Sequence, residues 1–337
     1  MLSLKKLCIV LIVSVFAFSL AIPGVAGAVD KMTIAYFPGW PSCFAVGWEK
    51  GWFEEEMGVE VDFRGFDSGA QISTAMASGR IAIGQDVGTS PFIAAVSQGV
   101  PIKMVAIGED NGPSENIIAQ KDSGIVSPKD LMGKVIGLPV GTSSHYRTLT
   151  ILKEFGIDRN KVDIIDMAPQ DVLAAFKRGD IDAGCSWDPV RTKMLEEGGH
   201  PIISAETQSL WGIRTGGNIV ANIKFSKKNP ELITKYLEVV NRSIKFYKEN
   251  PEEAARIIGN KVGVEQDKCR AILDTLIFFT AEEQLQPNLL GTEKNPGMFL
   301  DSMKDIADFL EAQGNIDKAL ASYDSYVDTQ YLENFVK

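Results

Sequence analysis

Beyond its first apolar segment, the chain alternates between short strand-like runs and stretches whose apolar positions recur at helical spacing. MTIAYFP (residues 32–38) predicts a strand and a turn. Residues 46–56 predict a helix with a face rich in Trp and Phe. VEVDFRGF (59–66) alternates with period two, as a half-buried strand does. Asp67, Ser68 and Gly69 read as a turn and N-cap before a short helix at 70–78, which Gly79 ends. RIAIG (80–84) predicts the next strand. Thr89, Ser90 and Pro91 then cap a helix that stops at Gly99. Strand, helix, strand, helix is the order of a parallel α/β sheet.

A second unit follows with the same grammar. Strands are predicted at 134–140, 162–166 and 180–185, with helices at 144–155 and 170–178. The two units echo each other at a shift of one hundred residues. Ile72, Ala75, Met76, Gly79, Ile81 and Gly84 correspond to Val172, Ala175, Phe176, Gly179, Ile181 and Gly184. Each strand then enters a proline-containing loop, GQDVGTSP or GCSWDP. A duplicated α/β lobe is expected, with a cleft between the copies. From Pro230 onward the pattern is helical only. Asn229-Pro230-Glu231 and Asn250-Pro251-Glu252 each supply an N-cap, a proline at the first helical position and an early acid. A further amphipathic helix is predicted at 298–313. These helices are expected to buttress one lobe.

The first residues belong to another class of segment. Lys5 and Lys6 precede an apolar run from Leu7 to Ile22, free of charges and interrupted only by Ser14 and Ser19, followed by Ala26-Gly27-Ala28. This is the layout of a secretory signal, with cleavage expected near Ala28 and a periplasmic destination. Cleavage would remove two lysines and no acids. The 34 basic residues become 32 against 44 acidic ones, and the net charge moves from −10 to −12. Such a surface argues against nucleic acid and against anionic lipid. The three cysteines beyond the signal (Cys43, Cys185, Cys269) are odd in number and lack C-x-x-C spacing. Neither a disulfide framework nor a structural zinc site is expected.

Motifs of catalysis are missing: there is no G-x-S-x-G, H-E-x-x-H or Walker A sequence. His145 and His200 are the only imidazoles, and Ser143 and His145 are too close in a helix to face each other. The protein is therefore expected not to be an enzyme and to need no cofactor or metal. Anion binding fits better. The first turn of a helix has unpaired N–H groups and partial positive charge, and hydroxyls there reach the oxygens of an anion. Two such turns exist, Gly88-Thr89-Ser90 and Gly141-Thr142-Ser143-Ser144, each after a predicted strand. Taken singly, each is equally well read as plain N-capping; one in each lobe points to a shared anion. Tyr36, Phe37 and Trp40 follow the first strand, Trp187 follows the last strand of the second lobe, and Trp211 lies near the chain's return to the first lobe. Open α/β sheets place ligands at such strand ends. Asp86, Glu115 and Asp188 are acids near these aromatics, able to receive a cation or simply to pair with the backbone. Trp48, Trp52 and Phe53 are spaced for a buried helix face.

Together FDSGAQISTAMASG, GTSP, GTSSHYRTL, RGDIDAGCSWDP and the tail GNIDKALASYDSYV resemble the taurine-type sulfonate-binding receptors of ABC importers, within the sulfonate, nitrate and thiamine-precursor receptor group. The resemblance covers nearly all of the chain after the signal. It implies a two-lobed, type II periplasmic-binding-protein-like fold with parallel-sheet lobes, two crossover strands near 107–118 and 212–220, and C-terminal helices. The lobes would comprise residues 29–110 with 218–337, and 111–217. It further implies a monomer that closes on a small sulfonate and delivers it to a membrane permease driven by a cytoplasmic ATPase. Carried onto this chain, the site would comprise Tyr36, Phe37, Trp40, Asp67, Thr89, Ser90, Glu115, Thr142, Ser143, Ser144, His145, Trp187 and Asp188. Two departures stand out. Gly217 and Asn218 occupy the second crossover, where taurine receptors are expected to carry an acid for the ammonium, and Trp40 and Pro41 replace smaller or acidic residues. Asp188 or Glu115 would then take the amine, or the ligand would be an aryl sulfonate, a quaternary amine or a pyrimidine. A pyrimidine-synthase-like enzyme of the same fold would need more histidines than this chain has.

Overall fold

A computed structural model describes residues 29–111, 115–204, 207 and 216–336. The expected signal, Trp211 and the start of the second crossover lie outside these residues. Among the described residues ten strands form two five-stranded sheets. The first contains β1 (Lys31–Tyr36), β2 (Glu60–Gly65), β3 (Ile83–Gly88), β4 (Ile102–Asp110) and β10 (Gly216–Asn222), in the order β2-β1-β3-β10-β4. The second contains β5 (Asn116–Ala119), β6 (Val135–Leu138), β7 (Asp163–Asp166), β8 (Ala183–Ser186) and β9 (His200–Pro201), in the order β7-β6-β8-β5-β9. Replacing β1–β4 by β6–β9, and β10 by β5, converts one order into the other, so the hundred-residue echo is a repeat of topology.

The expectation of parallel sheets needs correction. β1, β2 and β3 pair in parallel, as do β6, β7 and β8, but β10 runs antiparallel to β3 and β4, and β5 antiparallel to β8 and β9. The odd strand in each sheet is the one that arrives from the other sheet. For β5 the connection from β4 is too short to hold the crossover helix that would turn it parallel. Apolar periodicity carries no sign of strand direction, which is why the pattern did not reveal this.

The helices that matter for the site lie between these strands: α1 (Phe44–Glu49), α2 (Trp52–Met57), α3 (Gly69–Ala77), α4 (Thr89–Ser97), α5 (Ser143–Glu154), α6 (Pro169–Arg178) and α7 (Val190–Glu196). The single helix predicted at 46–56 is two, because Gly51 sits at φ +70° between them. The strand expected at 80–84 starts later and runs through Gln85 and Asp86, polar residues that ended the apolar run in the sequence. The echo extends to packing. A side chain at Gly84 would press to 2.8 Å from Ile72, and one at Gly184 to 3.0 Å from Val172, the equivalent residue. Glycine lets α3 close onto β3 and α6 onto β8 in the same way.

Of the three aromatics assigned to a buried face, Phe53 is fully buried and Trp48 stacks on Phe63 with ring centroids 4.2 Å apart. Trp52 is only half-buried, with the Arg242 guanidinium 3.7 Å above its ring. The later helices begin as predicted at Pro230 and Pro251, but Asn229 and Asn250 do not cap them. Their side-chain amides donate backward, to the carbonyls of Phe225 and Phe246 that end the preceding helices. The helix Phe299–Ala312 does more than buttress one lobe. It packs on α4 and also on α5, where Phe309 meets Tyr146 edge-on at 4.8 Å.

Candidate functional site

The C-terminal ends of β1, β3 and β4, the end of β8 and the loops after them enclose a pocket of about 450 Å³, part of it open to solvent. Its walls come from both sheets. The first contributes Phe37, Trp40, Gly69, Asp86, Gly88, Pro91, Glu109 and Gly217; Asn111 and Glu115 come from the connection to β5, and Thr142, Ser143 and Trp187 from the second sheet's loops. The rims meet: a Cβ on Gly39, beside Trp40, would stand 3.7 Å from Pro189, beside Trp187 and Asp188.

Three helices begin at this pocket, α3 at Gly69, α4 next to Gly88 and α5 at Ser143. Ser68 caps α3 by accepting from the Gln71 amide at 3.3 Å. Neither α4 nor α5 has a side-chain cap. The Thr142 hydroxyl, which would serve α5, instead donates to the Pro139 carbonyl at 2.6 Å, and the Ser143 hydroxyl donates to Glu115 Oε1 at 2.7 Å. The first amides of α4 and α5 are therefore not neutralised by the residues best able to do so. Two positive helix ends, one from each sheet, face one cavity.

The acids of the site fall into two groups. Glu115 is fully buried yet balanced: the fully buried Arg147 lies 3.6 Å away, and Asn111 donates to it at 3.4 Å besides Ser143. Burial pushes its pKa up, opposed by Arg147 and Ser143. Asp188 accepts from the amide and hydroxyl of Thr192 at 2.9 and 2.6 Å and lies 3.6 Å from Arg191. Asp86 and Glu109 form the second group. Asp86 sits in the left-handed region (φ +59°), rare for a residue with a side chain and often tied to function. Gln85 donates to it at 2.5 Å and in turn accepts from Tyr236 at 2.6 Å. Burial raises the pKa of Asp86, and that of Glu109 still further, since Asp86 also repels a second charge.

Residues 42–254 match the family described as NMT1/THI5 like. The chain belongs to this family. It is 31% identical, over 83% of its length and 86% of the other's, to the taurine-binding periplasmic protein of Escherichia coli strain K12. Its fold superposes on the periplasmic aliphatic sulphonate binding protein SsuA from Escherichia coli with a TM-score of 0.73 (20% identity, 91% of this chain and 100% of the other). It also superposes on the alkanesulfonate-binding protein SsuA from Xanthomonas axonopodis pv. citri bound to MOPS, at 0.74 (18% identity, 90% and 99%). The two-lobed fold expected from the sequence is the fold of these proteins.

Within this NMT1/THI5-like chain, six of the thirteen residues assigned to the site from sequence line the pocket, namely Phe37, Trp40, Glu115, Thr142, Ser143 and Trp187, as does Asp86, noted there as a nearby acid. The others stand elsewhere, each for a visible reason. Tyr36 belongs to an aromatic cluster with Phe44, Trp48 and Phe63. Asp67 is exposed. Thr89 bonds the Gly216 carbonyl at 3.4 Å and accepts from Asn218 at 3.2 Å, so its hydroxyl ties β10 to the start of α4. Ser90 and Ser144 are fully buried and outside the pocket lining, with hydroxyls that find no partner. His145 accepts from the Gly141 amide at 3.3 Å and faces Phe309. Burial, with Arg159 adding to it, lowers its pKa to about 4, so it is neutral at physiological pH. Asp188 is held by Thr192 and Arg191, as above. The sequence reading missed Glu109, Asn111, Pro91 and Gly217. Glu109 lies one residue before the end of a mostly apolar strand, IKMVAIGED, and the acids closing such a run were the available signal.

Proposed function

We propose that this protein is an exported receptor of an ABC importer that binds a small sulfonate between its two lobes, residues 29–110 with 218–337 and residues 111–217. The observation that carries this reading is the convergence of the uncapped starts of α4 and α5, one from each sheet, on a single pocket. A sulfonate stays ionised at every physiological pH, so the neutral N–H donors of the two helix starts suffice to hold it. Thr142 and Ser143 provide the second lobe's half of that cradle, and the Gly88 turn provides the first lobe's half. Phe37, Trp40 and Trp187 enclose the rest of the ligand. Contacts from both lobes make the closed form the one the ligand prefers, and a membrane permease with its ATPase receives that form. The periplasm is the expected compartment, in keeping with the E. coli relative's description.

Thermal-shift titration with taurine, isethionate and an aryl sulfonate tests this. A true ligand at a hundred times its Kd stabilises by about 2.7 kcal/mol and raises Tm accordingly. If every sulfonate leaves Tm unmoved while choline or a pyrimidine raises it, the ligand class is wrong.

A further inference from the structure

Four carboxyls stand in or beside the pocket, and two of them have no counter-charge among the described residues. Glu115 faces Arg147, and Asp188 faces Arg191. Among the described residues no ion pair includes Asp86 or Glu109. Both line the pocket, and both are more than nine-tenths buried. Glu109 Oε2 is buried with no hydrogen-bond partner among the described residues. The backbone makes room for the pair. A side chain at Gly217 would collide with the Glu109 carboxyl and come within 2.9 Å of the Asp86 Cα, and one at Gly108 would collide with the Asp86 carboxyl. Gly217 stands in the crossover segment where an acid was expected, so its lack of a side chain admits Glu109 from the neighbouring strand.

We propose that Asp86 and Glu109 form a subsite for a primary ammonium group, and that the pair carries one proton in the empty protein, which passes to solvent when the ammonium binds. The proposal rests on the sulfonate reading for the pocket and narrows it to an aminoalkyl sulfonate. A buried carboxylate oxygen without a partner calls for an N–H donor. A quaternary ammonium has none to give, and a simple alkyl sulfonate would bring a second negative charge or an apolar tail to the acids. Two adjacent buried carboxyls cannot both ionise without a nearby cation, and an ammonium supplies it. The groups facing the pair reinforce this. Cys43 and Tyr236 are buried neutral donors whose own ionisation the acids oppose. Ser42 and Gln85 on Asp86, and the Trp40 indole and Gly217 amide on Glu109, favour the charged forms without offsetting burial. Glu115 lies on the same pocket wall with its charge matched by Arg147, and Lys248, which acts on Cys43, is paired with Glu283.

Calorimetric titration decides the matter, run in cacodylate and in imidazole, buffers with neither a sulfonate nor a primary amine and with different ionisation enthalpies. Taurine should bind roughly tenfold or more tightly than ethanesulfonate. Taurine alone should release about one proton, and its affinity should rise with pH by up to about tenfold per unit below the pair's pKa. Glu109→Gln and Asp86→Asn should lose both the preference for taurine and the proton release. Ethanesulfonate binding as tightly as taurine, or taurine binding with the same heat in both buffers, would overturn the subsite. Binding of neither sulfonate would overturn the sulfonate reading instead. In that case β-alanine against propionate decides the ammonium subsite by the same proton count: release with β-alanine alone upholds it, and release with neither sinks it.

Discussion

At Glu109 the fold keeps a carboxyl that weakens the empty protein. Its pKa is raised on folding, so its contribution to stability is present below the unfolded carboxylate pKa and fades as pH rises through the folded value. Glu109→Gln should therefore raise the stability of the ligand-free protein at pH 7.5 by about 1 kcal/mol, with the gain shrinking toward pH 4, as denaturant midpoints across pH would report. No gain at pH 7.5 would mean that the carboxyl is better accommodated than its surroundings indicate. His145 has the opposite sign. Its pKa falls to about 4 on folding, so the unfolded chain takes up a proton that the folded chain refuses. Stability should drop by about 2 kcal/mol between pH 7.5 and pH 5, and His145→Gln should flatten that limb. Neither residue's part in the structure was legible in the sequence. His145 stood out as a rare imidazole beside hydroxyls, yet its ring serves the Gly141 turn and packs near Phe309. Glu109 attracted no notice because an acid at the end of a strand is ordinarily a surface residue.

At the scale of the element, the start of α5 makes a sharper statement than its hydroxyls. Three hydroxyl residues precede the helix body, which reads as capping, yet no side chain caps it. The first amides, rather than the hydroxyls, are then the donors for the anion. Ser143 is the first helical residue, and Thr142 before it is extended (φ −107°, ψ 177°), so proline fits at 143 without straining the backbone. Ser143→Ala removes only the hydroxyl that donates to Glu115, whereas Ser143→Pro also removes the amide N–H. Affinity for a sulfonate should fall further in the proline variant, by roughly ten- to a hundredfold relative to alanine, the range of one charge-assisted hydrogen bond. Equal affinities would assign the anion to another part of the wall.

Across the whole molecule, the pocket belongs to neither sheet alone. Gly88 and Pro91 come from one, Thr142, Ser143 and Trp187 from the other, and the chain passes between the sheets after β4 and before β10. A ligand touching both halves favours the closed arrangement, so sulfonate should lower the radius of gyration in solution scattering and raise Tm together. A rise in Tm without compaction would point to binding within one half. Net charge sharpens the selectivity. At −10 for the chain, the overall field repels anions, and attraction must come from the two helix ends. A zwitterion suffers less from that field than a pure anion, in line with an ammonium subsite inside the same pocket.

Apolar periodicity by itself determined the elements, their repetition at one hundred residues and hence two similar α/β halves. Burial of a helix face or a strand is a local requirement, written into residues three, four or two positions apart. The close approach of Gly84 to Ile72 and of Gly184 to Val172 belongs to the same category, since each pair lies within one helix–strand unit. Only the tertiary structure decided strand direction in β5 and β10, and the company each polar side chain keeps. Glu115 meets Arg147 and Ser143 from another element, Asp188 is claimed by its own helix, and Asp86 and Glu109 come together around Gly217 from three different strands. The charge state of a carboxyl depends on burial and on neighbours distant in the chain. For that reason the acids of this pocket had to be sorted in space, while the strands that carry them could be read along the sequence.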